Sequence, residues 1–311
     1  MLPLPVLLGA VSVWTCARLL FGAAQSALSA SPNGCQHCEI ELTWWRATVR
    51  VHTVGPLAPT ADARRWLRSW FCLGAVVGLL AAACSVLLLV SELLTLLRGV
   101  QPAADGVVSA APRLQLAIPG LTLPWSHAAP LWLALAMSLA VHEAGHAAAA
   151  VAEGAHISAA GFSLILLLPA AFVELDTQDL GRLSMLRVAT AGAWHNAVFA
   201  AACWGISTLL AHLGWWLPAP LRLLLAYAVS LSAALCLLNM APVHFLDGQQ
   251  ALEALLLRPP KPKQLPELQE QSAGPHQQQA SHRRAALVRW ILHAGSGLYL
   301  AVLALHVLRM Y

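Results

Sequence analysis

The chain has 311 residues, of which 59% are hydrophobic and 10% are charged, and its formal net charge is +4. A soluble domain carries about 25% charged residues, so this chain has too little polar surface to cover a water-soluble globule. Its basic residues are spread along the sequence, which argues against a nucleic-acid-binding surface. Composition therefore indicates a polytopic membrane protein.

Long apolar stretches predict about six membrane-spanning helices. In chain order they are residues 2–24, 71–97, 131–152, 183–213, 221–240 and 287–308. Residues 154–176 contain apolar runs too short to cross a membrane, which predicts a small re-entrant or β-hairpin element beside the third span. The predicted fold class is therefore an all-α polytopic membrane protein with one such element.

The sequence divides into four parts. Residues 1–70 hold the first span and a basic, aromatic segment that suits a membrane interface. Residues 71–257 form the transmembrane core with the candidate catalytic residues, residues 258–286 form a flexible linker rich in Pro, Gln and basic residues, and residues 287–311 form the C-terminal span. The basic segments then fall on one side of the membrane, in agreement with the positive-inside rule.

The strongest chemical pattern, His142-Glu143-Ala144-Gly145-His146, lies in the third span. On a helix the two histidines are four positions apart, so both imidazoles leave the same face and can bind one zinc ion. Glu143 can act as general base toward a water at that ion. The rival interpretation is a membrane helix whose polar side chains hydrogen-bond to neighbouring helices.

A catalytic zinc usually has three protein ligands, so a third must come from elsewhere in the chain. Asp247 is the best candidate, because Pro242 breaks the helix ahead of it and Gly248 permits a tight turn after it. Three other ligands stay open: His244 and, with weaker support, Glu174 and Asp176.

Asn196 is a further candidate catalytic residue. We expect it on the oxyanion or substrate-carbonyl side, because a neutral amide donates a hydrogen bond without competing for the metal. A simple interhelical hydrogen bond is the alternative. The neighbouring His195 is expected behind the metal ligands or at a helix interface.

A second place for a metal is the polar run Cys35-Gln36-His37-Cys38. A zinc ribbon needs two such cysteine pairs, and the other five cysteines lie in apolar stretches where they are expected to pack as inert residues. A structural metal at this pair is therefore the weaker of the two metal predictions.

Three motifs in order resemble the site-2 protease family of intramembrane zinc metalloproteases. They are H-E-x-x-H at residues 142–146, G-x-x-x-N at 192–196 and N-x-x-P-x-x-x-L-D-G at 239–248. Residues 118–120, 169–173 and 191–196 are most similar to animal members that act on membrane-bound transcription factors. The resemblance implies zinc ligands at His142, His146 and Asp247, with Glu143 as catalytic base.

The same resemblance implies substrates and a location. The implied function is cleavage of transmembrane segments of membrane-tethered transcription factor precursors, in sterol and ER-stress signalling. The implied partners are single-span membrane proteins, such as the sterol regulatory element-binding protein precursors, and the lipid bilayer, without nucleic acid. The implied location is the Golgi or endoplasmic reticulum membrane.

One departure from the family pattern concerns a PDZ-like luminal insert, which relatives commonly carry between the two halves of the site. Residues 214–220 leave no room for it. Because that domain is thought to screen substrates by size, its absence favours keeping a second hypothesis, a non-catalytic membrane scaffold or chaperone for single-span clients. A metal transporter is a weaker third hypothesis, since it needs more carboxylates and histidines along a path through the membrane.

Overall fold

The computed structural model describes residues 11–12, 14–23, 26, 38–52, 59–98, 114, 117–257 and 275–309. Its helices are α1 (Ala61–Leu97), α2 (Ala128–Glu153), α3 (Arg182–His212), α4 (Ala219–Leu238), α5 (Asp247–Leu256) and α6 (Pro275–Leu308). Residues 14–23 are also helical. The strands β1 (Cys38–Leu42), β2 (Arg46–His52), β3 (His156–Ile165) and β4 (Leu168–Asp176) form one antiparallel sheet in that order.

Four helical segments of the described part are long and apolar enough to cross a membrane, which makes the chain a multi-pass membrane protein. They are Ala61–Leu97, Trp125–Glu153, Ala219–Leu238 and Gln279–Leu308. The prediction of about six spans is not confirmed. Residues 2–10 of the first predicted span lie outside the described residues, and α3, which covers the fourth, does not reach the apolar character of the others.

The first half of helix α3 is buried among other helices, whereas its second half exposes Trp204, Ile206 and Leu209. The helix packs against α1, α2, α4 and α5. Its polar residues Thr190 and Asn196 are fully buried, so they face protein instead of lipid. This buried half therefore needs less apolar surface than a helix that lies against the bilayer.

Close packing of α2 on α3 brings the two helices together at the H-E-x-x-H motif. A β-carbon on Gly145 would lie 2.6 Å from the carbonyl oxygen of Ala191, so only glycine permits this approach. Helix α2 ends at Glu153, and the next residue, Gly154, has a φ of 82°, the left-handed conformation that glycine favours at a helix terminus.

A buried ion pair holds the end of α2 against the start of α3. The carboxylate of Glu153, with a side chain only 2% exposed, lies 2.7 Å from Nε of Arg187. Its other oxygen accepts a 2.7 Å hydrogen bond from Ser184. Because both oxygens have partners, the cost of burying this charge is compensated. The interaction fixes the end of α2 relative to the start of α3.

The small element predicted at residues 154–176 is confirmed as the hairpin of β3 and β4. The sheet is larger than that prediction, because β1 and β2 extend it from the segment assigned to the membrane interface. Strand β2 alternates polar and apolar side chains in the run Arg46-Ala47-Thr48-Val49-Arg50-Val51-His52, and it pairs with β3 along its whole length.

Two connections bear on the predicted organisation. Helix α3 ends at His212 and α4 begins at Ala219, so the turn between them is as short as the sequence indicated. The predicted linker covers residues 258–286, and α6 begins at Pro275. Residues 258–274 of the linker, and Cys35 of the cysteine pair, lie outside the described residues.

Candidate metal centre

Three side chains predicted as zinc ligands converge at one point beside α3. The Nε2 atoms of His142 and His146 lie 3.2 Å apart. Oδ2 of Asp247 lies 2.9 Å from the first of these atoms and 3.3 Å from the second. Among the described residues this is the group of histidine, cysteine and acidic side chains whose donor atoms are close enough to hold a metal ion.

The donor set fits zinc in both its chemistry and its spacing. Two imidazoles and one carboxylate are a usual catalytic set, which leaves a fourth position open. With zinc–ligand bonds of about 2.0–2.1 Å, tetrahedral ligands lie about 3.3 Å from one another, close to the three separations given above. Both histidines are also nearly buried, at 3% and 8% exposed, so the ligands are shielded from solvent.

The two histidines reach this point because of their spacing on α2, whereas Asp247 reaches it through a break in the chain. Helix α4 ends at Leu238, and α5 begins at Asp247 itself. The backbone N–H of Gly248 donates a 2.8 Å hydrogen bond to the carbonyl oxygen of Asn239, which ties the two ends of this bend together. The bend also contains Phe245 with a φ of 71°, a strained conformation for a phenylalanine.

Helix α3 forms the back wall of the site. A β-carbon on Gly192 would lie 2.5 Å from the Nε2 atoms of both His142 and His146. Alanine at this position would therefore occupy the space that the two nitrogens face. The glycine of the G-x-x-x-N motif is required because the helix backbone approaches the ligands so closely.

Glu143, the predicted general base, lies at the edge of the site toward the sheet. Its carboxylate lies near the side chains of His142, His146 and Asp247 and near the backbone N–H of Val173 in β4. Helix α2 and the outer strand of the sheet therefore meet at this residue.

Asn196 is fully buried, and its side-chain nitrogen lies 2.9 Å from Nδ1 of His142, on the far side of the ring from the metal position. The oxyanion role stays a prediction. The ring centroid of His195 lies 5.5 Å from that of Phe71, and its Nδ1 lies 3.0 Å from the carbonyl oxygen of Ala191.

The alternative ligands have other partners. The ring of His244 packs at 5.1 Å against that of His293 in α6. Glu174 makes an ion pair with Arg50 of β2 at 2.6 Å. Asp176 accepts a hydrogen bond from the backbone N–H of Gln178. None of these three residues belongs to the group of side chains that could hold a metal ion among the described residues.

One residue at the site was not assigned a role from the sequence. The side-chain nitrogen of Asn239 lies 3.3 Å from Nε2 of His142, so this amide faces the metal position from the end of α4. Its place as the first residue of the N-x-x-P-x-x-x-L-D-G motif is the signal that could have identified it.

Residues 130–214 match the profile described as peptidase family M50. The resemblance to the site-2 protease family is confirmed over this segment. It contains most of α2, the β3–β4 hairpin and α3, and thus both histidines and Glu143, whereas Asp247 lies beyond it.

The chain is also similar to an Arabidopsis thaliana protein described as a membrane-bound transcription factor site-2 protease homolog. The two are 39% identical over 70 residues, which cover 22% of this chain and 14% of the plant protein. No solved structure matches the chain.

Proposed function

We propose that this protein is an intramembrane zinc metalloendopeptidase. The observation that carries the proposal is the convergence of His142, His146 and Asp247, with Glu143 beside them, on and next to a helix long enough to span a membrane. The match to peptidase family M50 over residues 130–214 supports the same activity.

His142, His146 and Asp247 would hold the zinc ion, which when bound supplies a Lewis acid for the scissile carbonyl and lowers the pKa of a nearby water. Glu143 takes the proton from the attacking water and delivers it to the leaving nitrogen. The side-chain amide of Asn239 faces the same space and can donate a hydrogen bond to the oxygen on which negative charge develops. The amide chemistry of Asn196 predicts the same role for that residue.

A transmembrane helix must unwind locally before it can be cut, because its backbone groups are otherwise hydrogen-bonded to one another. Strand β4 is an edge of the sheet and reaches Glu143 through Val173. We propose that the unwound substrate adds to β4 as a further strand and is thereby presented to the base.

The position of a proline in β4 supports a free edge on the side of β4 opposite β3. Pro169 has no N–H and is tolerated in a strand only where the N–H would point away from the ladder. Because side directions alternate along a strand, Pro169, Ala171 and Val173 all present their backbone nitrogens to the same side. The N–H of Val173 lies near Glu143, and α2 packs on β4, so this side is the one that faces α2.

We further propose single-span membrane proteins as substrates, in particular membrane-tethered transcription factor precursors such as the sterol regulatory element-binding proteins. The name of the Arabidopsis relative supports a transcription-factor substrate class. The motifs that resemble the animal family members support a location in the Golgi or endoplasmic reticulum membrane.

The activity is tested with the full chain in liposomes and a single-span substrate whose luminal part has been removed. Wild type and Glu143→Gln are compared, and the zinc content of both is measured. We expect the wild type to cut and the variant to retain zinc but to lose cleavage by a factor of about 10²–10⁴. A variant that cuts at the wild-type rate would exclude Glu143 as the base.

The short turn between His212 and Ala219 favours a second candidate, a scaffold or chaperone that binds single-span clients without cutting them. In the same experiment this function predicts that wild type and variant both bind substrate and that neither cuts it. The metal ligands argue for the protease, because a protein that only binds clients has no need of them.

A further inference from the structure

The two histidines of the metal centre each have a second ring nitrogen, and α3 provides a partner for both. Nδ1 of His146 donates a 2.8 Å hydrogen bond to the carbonyl oxygen of Val188. Nδ1 of His142 lies 2.9 Å from the carboxamide of Asn196. A histidine that binds a metal through one nitrogen carries its hydrogen on the other, and the partner of that hydrogen sets the orientation of the ring.

The partner atom for His142 follows from this chemistry. When Nε2 binds the metal, Nδ1 is a donor, so the carboxamide of Asn196 must offer its oxygen. Oδ1 of Asn196 is buried and has no hydrogen-bond partner when the nitrogen faces the ring. Rotation of the carboxamide by 180° exchanges its two ends and gives His142 the acceptor that it needs.

The positions of the three α3 residues explain how one helix serves both ligands. Val188, Gly192 and Asn196 are four residues apart, so they follow one another along a single face. The outer two contact the two Nδ1 atoms, and Gly192 lets the backbone come close to both rings. The glycine and the asparagine of the G-x-x-x-N motif are thus two of the three α3 residues that orient the imidazoles.

We propose that Asn196 is a positioning residue for the metal centre, whose side-chain oxygen accepts a hydrogen bond from Nδ1 of His142 and aims Nε2 of that ring at the metal. This inference rests on the proposed function, since it requires His142 to be a zinc ligand. It assigns Asn196 to the ligand and not to the substrate oxyanion.

The test is zinc affinity of the full chain in detergent, measured by competition with a chromophoric chelator. Asn196→Leu removes the acceptor and should weaken zinc binding about 10- to 100-fold. Asn196→Asp keeps an oxygen at the same place and should bind zinc at least as tightly as the wild type. Wild-type affinity in the leucine variant would overturn the proposal, and so would a loss in the aspartate variant as large as in leucine.

A matched control separates positioning from general packing. Ser232 of α4 donates a 2.8 Å hydrogen bond to Ser138 of α2, and both residues are fully buried, as Asn196 is. Ser232→Ala should lower the melting temperature of the metal-free protein and leave zinc affinity unchanged. An equal loss of zinc affinity in this control would overturn the proposal, because it would show that any loosened helix contact has the same effect.

The remaining outcomes are also decisive. If the leucine variant does not fold, the aspartate variant decides alone, and a more than tenfold loss of its zinc affinity would overturn the proposal. An oxyanion role instead predicts unchanged zinc affinity in both variants together with lost cleavage. If the wild type itself binds no zinc, the proposed function fails. If the wild type binds zinc and the leucine variant binds it equally well, the proposal about Asn196 fails and the proposed function stands.

Discussion

Oδ2 of Asp247 lies 2.9 Å from Nε2 of His142, although 105 positions separate the two residues in the chain. The contact depends on the bend between α4 and α5, which brings a carboxylate to a pair of histidines that α2 alone already places together. The centre is therefore complete only when the two halves of the transmembrane core are assembled.

Asp247→Asn should weaken zinc binding by more than about 100-fold, because loss of a ligand should cost at least as much as loss of a hydrogen-bond partner behind it. Zinc content after dialysis against a weak chelator provides the measurement. His244→Ala is the matched variant, since His244 lies in the same bend but packs against His293. Retained zinc in the first variant and lost zinc in the second would make His244 the ligand.

Gly192→Ala should impair the metal centre by filling its back wall. The added methyl group would lie 2.5 Å from both Nε2 atoms, so the helix or the rings must shift, and zinc affinity should fall at least about tenfold. The control is Gly205→Ala on the same helix, where a β-carbon meets open space. It should retain zinc and gain about 0.5–1 kcal/mol of stability from helix propensity. Equal zinc affinity in the two variants would contradict the geometry of the wall.

Glu153→Ala should destabilise the protein because it leaves the guanidinium of Arg187 without its buried partner. Removal of one member of a buried ion pair costs about 3–5 kcal/mol, which should appear as a lower unfolding midpoint in detergent. Asp62→Asn breaks the exposed pair of Asp62 and Arg65 and should leave the midpoint unchanged. Similar midpoints for both variants would show that the Glu153 pair does not hold α2 against α3.

Ala171→Pro tests the addition of substrate to β4. Proline removes a backbone donor on the edge that faces Glu143, while the hydrogen bonds of β4 to β3 on the other side remain. We expect normal zinc content and cleavage lowered about tenfold or more, since the loss of main-chain hydrogen bonds weakens a strand-added substrate. Cleavage at the wild-type rate would mean that the substrate does not pair with β4 at this position.

The sequence predicts those parts of the fold that depend on local patterns. The spacing of His142 and His146 is enough to place both on one helix face, and the short apolar runs after Gly154 indicate a hairpin. The sequence does not predict strands β1 and β2, because arginine and tryptophan in residues 31–70 also suit a membrane interface. The alternation in β2 was the signal, but its pairing with β3 is a contact between distant segments that local patterns do not reveal.

The site shows the same limit. The proline and glycine around Asp247 predict a bend there, whereas its distance to the two histidines depends on the fold. Asn196 was assigned to the substrate because an amide suits an oxyanion, and only the packing of α3 on α2 shows it against the ring of His142. Asn239 was recognised as part of a motif, but the direction of its side chain depends on how α4 ends.

The measurement that tests the metal centre most directly is zinc X-ray absorption spectroscopy of the purified full-length protein in detergent. The account predicts one zinc ion with nitrogen and oxygen ligands at about 2.0–2.2 Å and the outer-shell scattering of two imidazoles. Asp247→Asn should change this spectrum. Sulfur scattering at about 2.3 Å, as expected for a site at the cysteine pair, or a protein that holds no zinc, would contradict it.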